Sequence, residues 1–383
     1  MNDFTTFLEN NECIDVIYLD FAKAFDTVPH NRLLTKLHAY GINGNILQWI
    51  KAFLSNRKQR VRVNSSYSKY TNVTSGIPQG SILGPILFII YINDLPDCVQ
   101  SICKIFADDT KAYKPSIAHD QIQKDPFSLL EWSALWLLGF NFSKCGVLHI
   151  GTNNPQHEYY WDKEKSKPLK KVTSEKDVGV IFSGDLKFDQ HISTIVSKAN
   201  QLVGIVKRSF THLDKDTFVK IYKAIIRPHI EYANVIWHPR FKKQMKCIES
   251  VQRRATKLVP GLKDLPYIQR LQQLDLPSVK YRQVRADLIQ TYKIIHKIDN
   301  IETNDFFTIR DNNVTTRNSD LKLYKEFSKT SVRSNFLSNR VNNFWNSLTT
   351  TTRFSRDILT FKKLIDRELI HLKYVFDEKA SGF

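Results

Sequence analysis

The chain has 383 residues, of which 42% are hydrophobic and 12% aromatic, a composition that argues against a disordered polypeptide and suggests two or three domains. Lysine and arginine number 56 against 38 acidic residues. The resulting net charge of +18 favours a polyanionic partner, usually nucleic acid or an anionic membrane surface, with a merely basic soluble protein as the alternative.

Neither the N-terminus nor the apolar runs indicate export or membrane insertion. The first residues, MNDFTTFLENNECID, are polar and acidic, unlike a signal peptide. The longest apolar run, ILFIIYI at 86–92, is far shorter than the ~18 residues that span a bilayer. The five cysteines form no CxxC pair and no zinc-like spacing with histidine. We therefore expect an intracellular protein of the cytoplasm or nucleus, with reduced thiols and no membrane partner.

The first half of the chain alternates apolar runs with helical patterns. VIYL at 16–19 predicts a buried strand that leads into Asp20, and two short helices follow it. QRVRVN and KYTNV predict a β-hairpin, and residues 81–95 are apolar nearly all round, as in a buried helix. ICKIFADDTKAYK then predicts a strand, a turn and a second strand, with the turn at Asp108 and Asp109.

The second half becomes helical and basic. Pro126 is predicted to mark the start of a tryptophan-rich helix, and the polar residues 151–171 are interpreted as a surface insertion or linker. Residues 198–300 contain 21 Lys or Arg against 8 acids. Six of these cations are expected on solvated faces, where they are either ordinary surface charges or line a groove that follows phosphates: Lys207, Arg208, Arg253, Arg254, Arg282 and Arg285.

Three carboxylates form the most informative constellation. The strands that carry Asp20, Asp108 and Asp109 can be neighbours in one antiparallel sheet, so their side chains would converge at one end of it. Three such groups cannot all stay ionised there without cations. Hard divalent ions such as Mg²⁺ accept carboxylate oxygens, and two of them about 4 Å apart would support an in-line phosphoryl displacement. For an isolated pair of aspartates, the alternative is a solvated turn.

Two further segments surround these carboxylates. TSGIPQGSILGP at 74–85 carries Gly76, Gly80 and Gly84, which would let a backbone approach a nucleotide or template closely, or simply form a turn before the buried helix. Phe25 follows Asp20 in DFAKAFD, where its ring would either wall a sugar pocket or belong to the core.

The sequence resembles the reverse transcriptases of non-LTR retrotransposons, especially the jockey-like elements of animals. The matching runs are YLDFAKAFDTVPH, SGIPQGSILGPILFIIYINDL, FADDTKAY and LGFNFSKC, and they follow one another in the order of that family. The resemblance continues through IIRPHIEYANVIWHP, IESVQRRATKLVPGL and NNFWNSL. It therefore covers nearly the whole chain from about Val16.

The resemblance implies a role for each catalytic candidate. Asp20 and Asp108 look like the two ligands shared by a pair of catalytic Mg²⁺ ions, for which Mn²⁺ is an alternative, with Asp109 as the third carboxylate. Lys144 is similar in place to the lysine that protonates the leaving pyrophosphate.

Nucleotide contacts are also implied by the resemblance. Phe21 would belong to the incoming-nucleotide site through its backbone carbonyl, and Phe25 matches the steric gate that selects deoxynucleotides. Gln79 and Gly80 match the segment that contacts the template and the incoming base. Residues 178–180 resemble the primer-grip hairpin.

The expected fold class is α+β. Residues 1–150 would form a polymerase palm, an antiparallel sheet backed by helices, with the fingers subdomain largely missing, as in a 5′-truncated copy or a gene model that starts late. Residues 151–188 would be a linker or insertion with the primer-grip-like strand. A mostly α-helical thumb at 189–262 and a basic, helical C-terminal region at 263–383 would follow.

Three functional hypotheses follow. The first is an RNA-directed DNA polymerase that uses an RNA template, a DNA primer and dNTPs, impaired by loss of the fingers that clamp the triphosphate. The second is a catalytically inactive remnant that binds nucleic acid through its basic helices. The third is a two-metal nuclease, since similar carboxylates also serve hydrolysis.

Overall fold

A computed structural model describes residues 1–310 and 321–376 of the chain. Parts of the predicted C-terminal region, residues 311–320 and 377–383, lie outside the described residues. The strands are β1 (Ile14–Leu19), β2 (Lys58–Gln59), β3 (Arg62–Val63), β4 (Ser66–Tyr67), β5 (Thr71–Asn72), β6 (Ile102–Phe106), β7 (Asp109–Pro115), β8 (Gly146–Ile150), β9 (Lys170–Val172), β10 (Ser174–Asp177), β11 (Val180–Ser183), β12 (Thr308–Ile309) and β13 (Leu323–Tyr324).

The helices are distributed along the whole described chain. They are α1 (Asn2–Glu9), α2 (Ala24–Thr27), α3 (His30–Ala39), α4 (Gly44–Leu54), α5 (Leu83–Ile92), α6 (His119–Trp136), α7 (Asp189–Ser209), α8 (Lys215–Ile221), α9 (Arg227–Glu231), α10 (Asn234–Trp237), α11 (Lys242–Ala255), α12 (Tyr267–Leu274), α13 (Val279–Ile295), α14 (Ser331–Ser334), α15 (Leu337–Arg340), α16 (Asn342–Ser347), α17 (Thr350–Arg353) and α18 (Ile358–Glu368).

The chain divides into two compact units. One, here the sheet unit, comprises Glu12–Gly179 and Ser183–Asp185. The other, here the helical unit, comprises Met1–Asn11, Val180–Phe182 and Leu186–Phe383. The finer subdivision expected from the sequence, into palm, linker, thumb and C-terminal region, stays a prediction.

A five-stranded sheet organises the sheet unit, with the strand order β6-β7-β1-β8-β9. β1 lies at its centre and pairs antiparallel with both β7 and β8, while β9 adds to β8 in the parallel sense. All six residues of β1 are buried, including Asp15, which explains why VIYL at 16–19 is a continuous apolar run rather than an alternating one. The expected α+β class with a mainly antiparallel sheet backed by helices is confirmed.

Helices cover one face of this sheet. Ile17, Leu19 and Val147 point from the strands into a core that they share with residues of α3, α5 and α6. Leu87, Phe88 and Tyr91 of α5 are all buried, as expected for a helix that is apolar nearly all round.

Helix α6 begins at His119 and continues through Pro126, so the prediction that Pro126 marks its start is wrong. The turns before the proline are anchored by tertiary contacts that its sequence does not reveal. Ile122 is fully buried, and Oδ1 of Asp125 accepts a hydrogen bond from the backbone N–H of Gln100 at 2.7 Å. These contacts offset the single helical hydrogen bond that the proline removes.

Residues 151–171 contribute to the core. Tyr159 and Trp161 are buried, and the Trp161 ring lies 5.8 Å from that of Phe140. The segment then leads into β9, which extends the sheet.

The helical unit has its own core around α13, α16 and α18, where Tyr292, Trp345 and Phe361 are buried. The Phe361 ring stacks on Tyr292 at 4.2 Å and lies 6.0 Å from the tilted Trp345 ring. Helix α1 belongs to this unit, since Nη1 of Arg333 donates to Oδ1 of Asn2 at 2.8 Å. Within the described residues, no helix is both long and apolar enough to cross a membrane.

Two of the six cations expected on solvated faces are engaged in ion pairs instead. Arg282 forms a bidentate pair with Glu231, and Arg285 forms one with Asp366 of α18. Both arginines are only partly exposed because they lie on α13, a helix packed against its neighbours. Lys207, Arg208 and Arg254 are exposed as expected, and Arg253 is half-buried.

Candidate active site

Strand register brings two of the predicted carboxylates together. Leu19, the last residue of β1, lies opposite Thr110 of β7. Asp20 directly follows Leu19 and Asp109 directly precedes Thr110, so both aspartates lie at the same end of the sheet. On the other side of β1, Tyr18 lies opposite Gly146, the first residue of β8, and Lys144 two residues before it reaches the Asp20 carboxylate.

A cleft of about 410 Å³ opens at this end of the sheet, within the sheet unit. Asp20, Asp109 and Lys144 all line it, and the lining contains both acids and lysines. The other charged residues around it are Lys104, Lys111, Lys170, Glu175, Lys176 and Asp177. Such a mixed lining can hold a cation against the acids while lysines attract a phosphate.

The pKa of Asp109 is raised by this arrangement of charges. Asp109 is exposed, but its partial desolvation raises the pKa of its carboxyl, and the charges of Asp108, Asp177 and Asp20 raise this pKa further. Repulsion among these carboxylates is relieved when one of them takes up a proton or when a cation enters. A divalent cation in the cleft would therefore be stabilised by these carboxylates.

Both backbone polar groups of Asp20, its N–H and its carbonyl, form hydrogen bonds. Its N–H donates to Sγ of the buried Cys145 at 3.3 Å, and its carbonyl accepts from the N–H of Asn141 at 2.7 Å. Burial raises the pKa of the Cys145 thiol to about 11, so the sulfur stays a neutral structural partner. Nζ of Lys144 lies 3.3 Å from Oδ2 of Asp20.

Asp108 occupies a different position from its neighbour. It lies with Ala107 in the two-residue turn between β6 and β7, where Phe106 pairs with Asp109. Ala107 has a φ of 52°, a left-handed conformation that is strained for a residue with a side chain. Asp108 is exposed and does not line the cleft, although its charge acts on Asp109.

The two aromatic candidates are both packed against the core. Phe21 is buried and stacks on Phe140 with ring centroids 4.9 Å apart. Phe25 is partly buried and stacks on Phe88 of α5 at 4.6 Å. Neither of them lines the cleft that contains Asp20.

The loop with Gln79 and Gly80 docks on the segment that carries Phe25. The N–H of Ile77 donates to the carbonyl of Phe25 at 2.7 Å, and Nε2 of Gln79 donates to Oδ1 of Asp26 at 3.0 Å. At Gly76, which has a φ of 87°, an added Cβ would lie only 2.7 Å from the carbonyl oxygen of Asp26. Gly76 therefore allows close packing against the protein backbone, and the expected approach of this loop to a nucleotide or template stays a prediction.

Sequence reasoning missed Asp177 and Lys111, which form an ion pair in the cleft. Lys111 follows Asp109 by two positions on β7, so both side chains lie on the same face of the sheet. Asp177 ends β10, and Val178 and Gly179 follow with positive φ values of 43° and 83°. The alternation of charged residues in FADDTKAY was a signal for Lys111, whereas the position of Asp177 depends on tertiary folding.

Within residues 1–310 and 321–376, no three His, Cys, Asp or Glu side chains are already gathered into a metal-binding cluster. The two carboxylates at the strand ends still fit a magnesium site. Mg²⁺ is commonly held by one or two carboxylates, with waters and substrate phosphates completing the shell.

A family model described as reverse transcriptase (RNA-dependent DNA polymerase) matches residues 4–181. The chain carries a reverse transcriptase domain. All eight site residues expected from the sequence lie within the matched range. The recognition of a jockey-like reverse transcriptase of non-LTR elements is confirmed by this match together with the curated relatives.

Two of these relatives are polymerases of Drosophila mobile elements. The chain is 28% identical over 272 residues to the probable RNA-directed DNA polymerase from transposon X-element of Drosophila melanogaster, covering 67% of this chain and 29% of that protein. It is 27% identical over 273 residues to the RNA-directed DNA polymerase from mobile element jockey of Drosophila funebris, covering 66% and 29%. The chain thus aligns with less than a third of the length of either relative.

A solved structure of telomerase from Candida albicans, in complex with a fragment of telomeric RNA, is also similar to this chain. Its TM-score is 0.39 at 12% identity, covering 68% of this chain and 50% of that one. This similarity is too low to support a conclusion about the site.

Proposed function

We propose that the chain is an RNA-directed DNA polymerase, which transfers a nucleotide from a dNTP to the 3′-hydroxyl of a DNA primer paired with an RNA template. The observation that carries the proposal is that Asp20 and Asp109 lie at the same end of two neighbouring strands and line one cleft. The reverse transcriptase family model and the names of the relatives support it.

Asp20 and Asp109, which line the cleft, would hold the divalent ions. Asp108, which the resemblance implies as the ligand shared with Asp20, would instead add charge from the adjacent turn. The reverse transcriptase family uses such ions, and Mg²⁺, or Mn²⁺ in its place, supplies activation of the attacking hydroxyl and stabilisation of the leaving oxygen. The backbone hydrogen bonds to Cys145 and Asn141 hold Asp20 at the strand end.

Lys144 would supply the proton for the departing pyrophosphate. Its ammonium already lies within 3.5 Å of both carboxylate oxygens of Asp20, which places it at the rim of the cleft. With the carboxylate engaged by a cation, the ammonium would be released towards the phosphates. General acid catalysis of this kind contributes typically 10²- to 10⁴-fold.

Phe25, Phe21, Gln79 and Gly80 would form the nucleotide side of the site. Phe25 is fixed by its stack on Phe88, and a rigid ring suits a gate that excludes a 2′-hydroxyl. Gln79 is exposed, so its amide can exchange the hydrogen bond to Asp26 for a contact with a base or template. The net charge of +18 suits both nucleic acid strands.

Primer extension tests the proposal. Purified protein would be given an RNA template, a labelled DNA primer, dNTPs and Mg²⁺, and extension would be compared among the wild type, Asp20→Asn and Asp109→Asn. Asp120→Asn is the matched control, because the Asp120 side chain is 90% exposed and lies on α6. We expect extension by the wild type and the control and none by the two site variants.

Two outcomes would contradict the proposal. Equal extension by the wild type and Asp20→Asn would remove the catalytic role of the strand-end carboxylates. No extension by any variant, together with salt-dependent binding of duplex, would instead support an inactive nucleic-acid-binding protein.

A further inference from the structure

The β-hairpin between α4 and the Gln79 loop is almost fully solvated. Every residue from Lys58 to Asn72 is exposed. The hairpin is held by pairing of β2 with β5 and of β3 with β4. It buries no core residue of its own, so its side chains are not accounted for by packing.

The charge of this segment has a single sign. Residues 57–72, here the basic hairpin, contain Arg57, Lys58, Arg60, Arg62 and Lys69, and no aspartate or glutamate. Five cations on a short ribbon repel one another, and a polyanion is the ligand that relieves such repulsion.

Two exposed tyrosines lie among these cations. The guanidinium of Arg60 lies 4.0 Å from the ring centre of Tyr67 and 4.8 Å from that of Tyr70. The two rings are 50% and 62% exposed. This tyrosine–arginine stack presents flat π surfaces to solvent beside a line of positive charge.

Flat rings and backbone-tracking cations together fit one class of ligand. Unpaired nucleobases stack on aromatic and guanidinium planes, while Lys and Arg contact the phosphates between them. A duplex offers the phosphates and hides the faces of its bases. An anionic membrane or an acidic protein would contact the cations of the hairpin. Neither of them would stack specifically on its two tyrosine rings.

We propose that the basic hairpin binds the unpaired RNA template strand, with bases stacked on Tyr67, Tyr70 and the Arg60 guanidinium. The inference rests on the proposed function, since it takes RNA as the template. The hairpin is also followed directly by the loop that carries Gln79, and the N–H of Val73 donates to the carbonyl of Arg57 at 2.9 Å, which closes its base.

Fluorescence anisotropy with a labelled single-stranded RNA of about 12 nucleotides tests the proposal. The double variant Tyr67→Leu/Tyr70→Leu keeps the charge and apolar surface and removes the rings. We expect its Kd to rise at least about 5-fold, and Tyr67→Phe/Tyr70→Phe to bind as the wild type does, since stacking is worth about 1–3 kcal/mol per base. Tyr40→Leu is the control, because Tyr40 is an exposed tyrosine outside the hairpin.

Charge and stacking are separated by a second measurement. Lys69→Gln should reduce the slope of log Kd against log salt by about 0.7, the value for one phosphate contact on a single strand. The thermal unfolding midpoints of all these variants should equal that of the wild type, because the changed residues are exposed. Loss of RNA binding through unfolding is thereby distinguished from loss of the contact.

The inference is overturned if the double leucine variant binds the single strand as tightly as the wild type. It is also overturned if this variant loses as much affinity for duplex RNA as for the single strand. A third contrary result is a variant that loses binding to vesicles of anionic lipid and keeps its affinity for RNA. Binding is measured without Mg²⁺ in the Asp20→Asn background. Failure of the catalytic proposal, seen in primer extension, is therefore recorded separately from failure of the hairpin contact.

Discussion

Nζ of Lys144 lies 3.3 Å from Oδ2 of Asp20, so a lysine partly occupies the position that a metal ion would take at this carboxylate. The pair lies beside Asp109, whose pKa is raised by burial and by neighbouring carboxylates. The negative charge of Asp20 is thus compensated by Lys144, whereas the carboxylate of Asp109 is repelled by its acidic neighbours. This asymmetry makes Lys144 both a competitor of the metal and a candidate acid.

Replacing Lys144 should therefore affect metal binding and catalysis in opposite directions. Lys144→Ala removes a competitor worth about 0.2–1 kcal/mol for an exposed pair, so Mg²⁺ should bind about 1.5- to 5-fold more tightly. Extension at saturating Mg²⁺ should fall about 100-fold, because the proton donor is lost. Mg²⁺ titrations of single-turnover extension would measure both quantities.

Lys144→Arg is the matched control for this prediction. Arginine keeps the positive charge and does not deprotonate near neutral pH. Its metal affinity should stay near that of the wild type while its rate falls as in the alanine variant. Unchanged rates in both variants would refute the role of Lys144 as the acid.

The ion pair between Lys111 and Asp177 should stabilise the sheet unit measurably. The Asp177 side chain is 8% exposed, so Lys111→Met leaves a buried carboxylate without this lysine and should cost about 3 kcal/mol. The double variant Lys111→Met/Asp177→Asn should recover about half of that loss. Urea unfolding would measure the free energies.

A second ion pair in the same unit serves as the reference. Lys171 and Glu158 form a pair whose side chains are 43% and 60% exposed, so Lys171→Met should destabilise the unit much less than Lys111→Met does. Equal effects of the two lysine variants would mean that burial of Asp177 does not strengthen its pair.

Gly76→Ala should destabilise the loop that carries Gln79. The left-handed φ of 87° costs about 1 kcal/mol for alanine, and the contact with the backbone of Asp26 adds an overpacking cost of about 1 to 3 kcal/mol. Gly41→Ala is the control, since Gly41 has a φ of 84° and nothing within 4 Å of the added Cβ. Denaturant unfolding should give the larger loss at Gly76, and equal losses would show that the loop can move away from Asp26.

Stability should fall as the pH drops from about 6.5 to about 4. Burial lowers the pKa of His191 to about 4, and its Nδ1 accepts a hydrogen bond from the N–H of Ile181 at 3.3 Å. The unfolded chain binds a proton on this residue first, so the folded state loses stability across that window, by about 3 kcal/mol at most. Burial also lowers the pKa of His238, which acts in the same direction.

His191→Asn isolates one part of this effect. The amide oxygen replaces Nδ1 as acceptor and does not titrate, so the variant should show a shallower decline of its unfolding midpoint below pH 6.5. Parallel pH profiles for the variant and the wild type would show that His191 does not contribute.

The positions of the strand-end carboxylates could be predicted from the sequence because they depend on local patterns. The apolar run before Asp20 and the strand–turn–strand pattern around Asp108 both specify where the chain ends a strand. The contribution of Asp177 could not be predicted, since a polar residue in EKDVG has no distinctive period. Its place depends on the packing of β10, which is a tertiary property.

The errors share a physical origin. Pro126 was read as a boundary because proline removes one helical hydrogen bond, yet burial of Ile122 stabilises the preceding turns. A solvated position is expected for Arg282 and Arg285 because long cationic side chains usually lie in solvent. Each of them instead pairs with an acid on another helix, Arg282 with Glu231 and Arg285 with Asp366. In each case, contacts between distant segments outweigh a local preference.

Titration of the protein with Mn²⁺, followed by the EPR signal of the unbound ion in the presence of primer, template and dNTP, tests the central claim most directly. If Asp20 and Asp109 share their ions, Asp20→Asn and Asp109→Asn should each lose the same tightly bound Mn²⁺, and the double variant should lose no more than either one. Wild-type stoichiometry and affinity in both single variants, or losses that simply add in the double variant, would contradict a shared metal site.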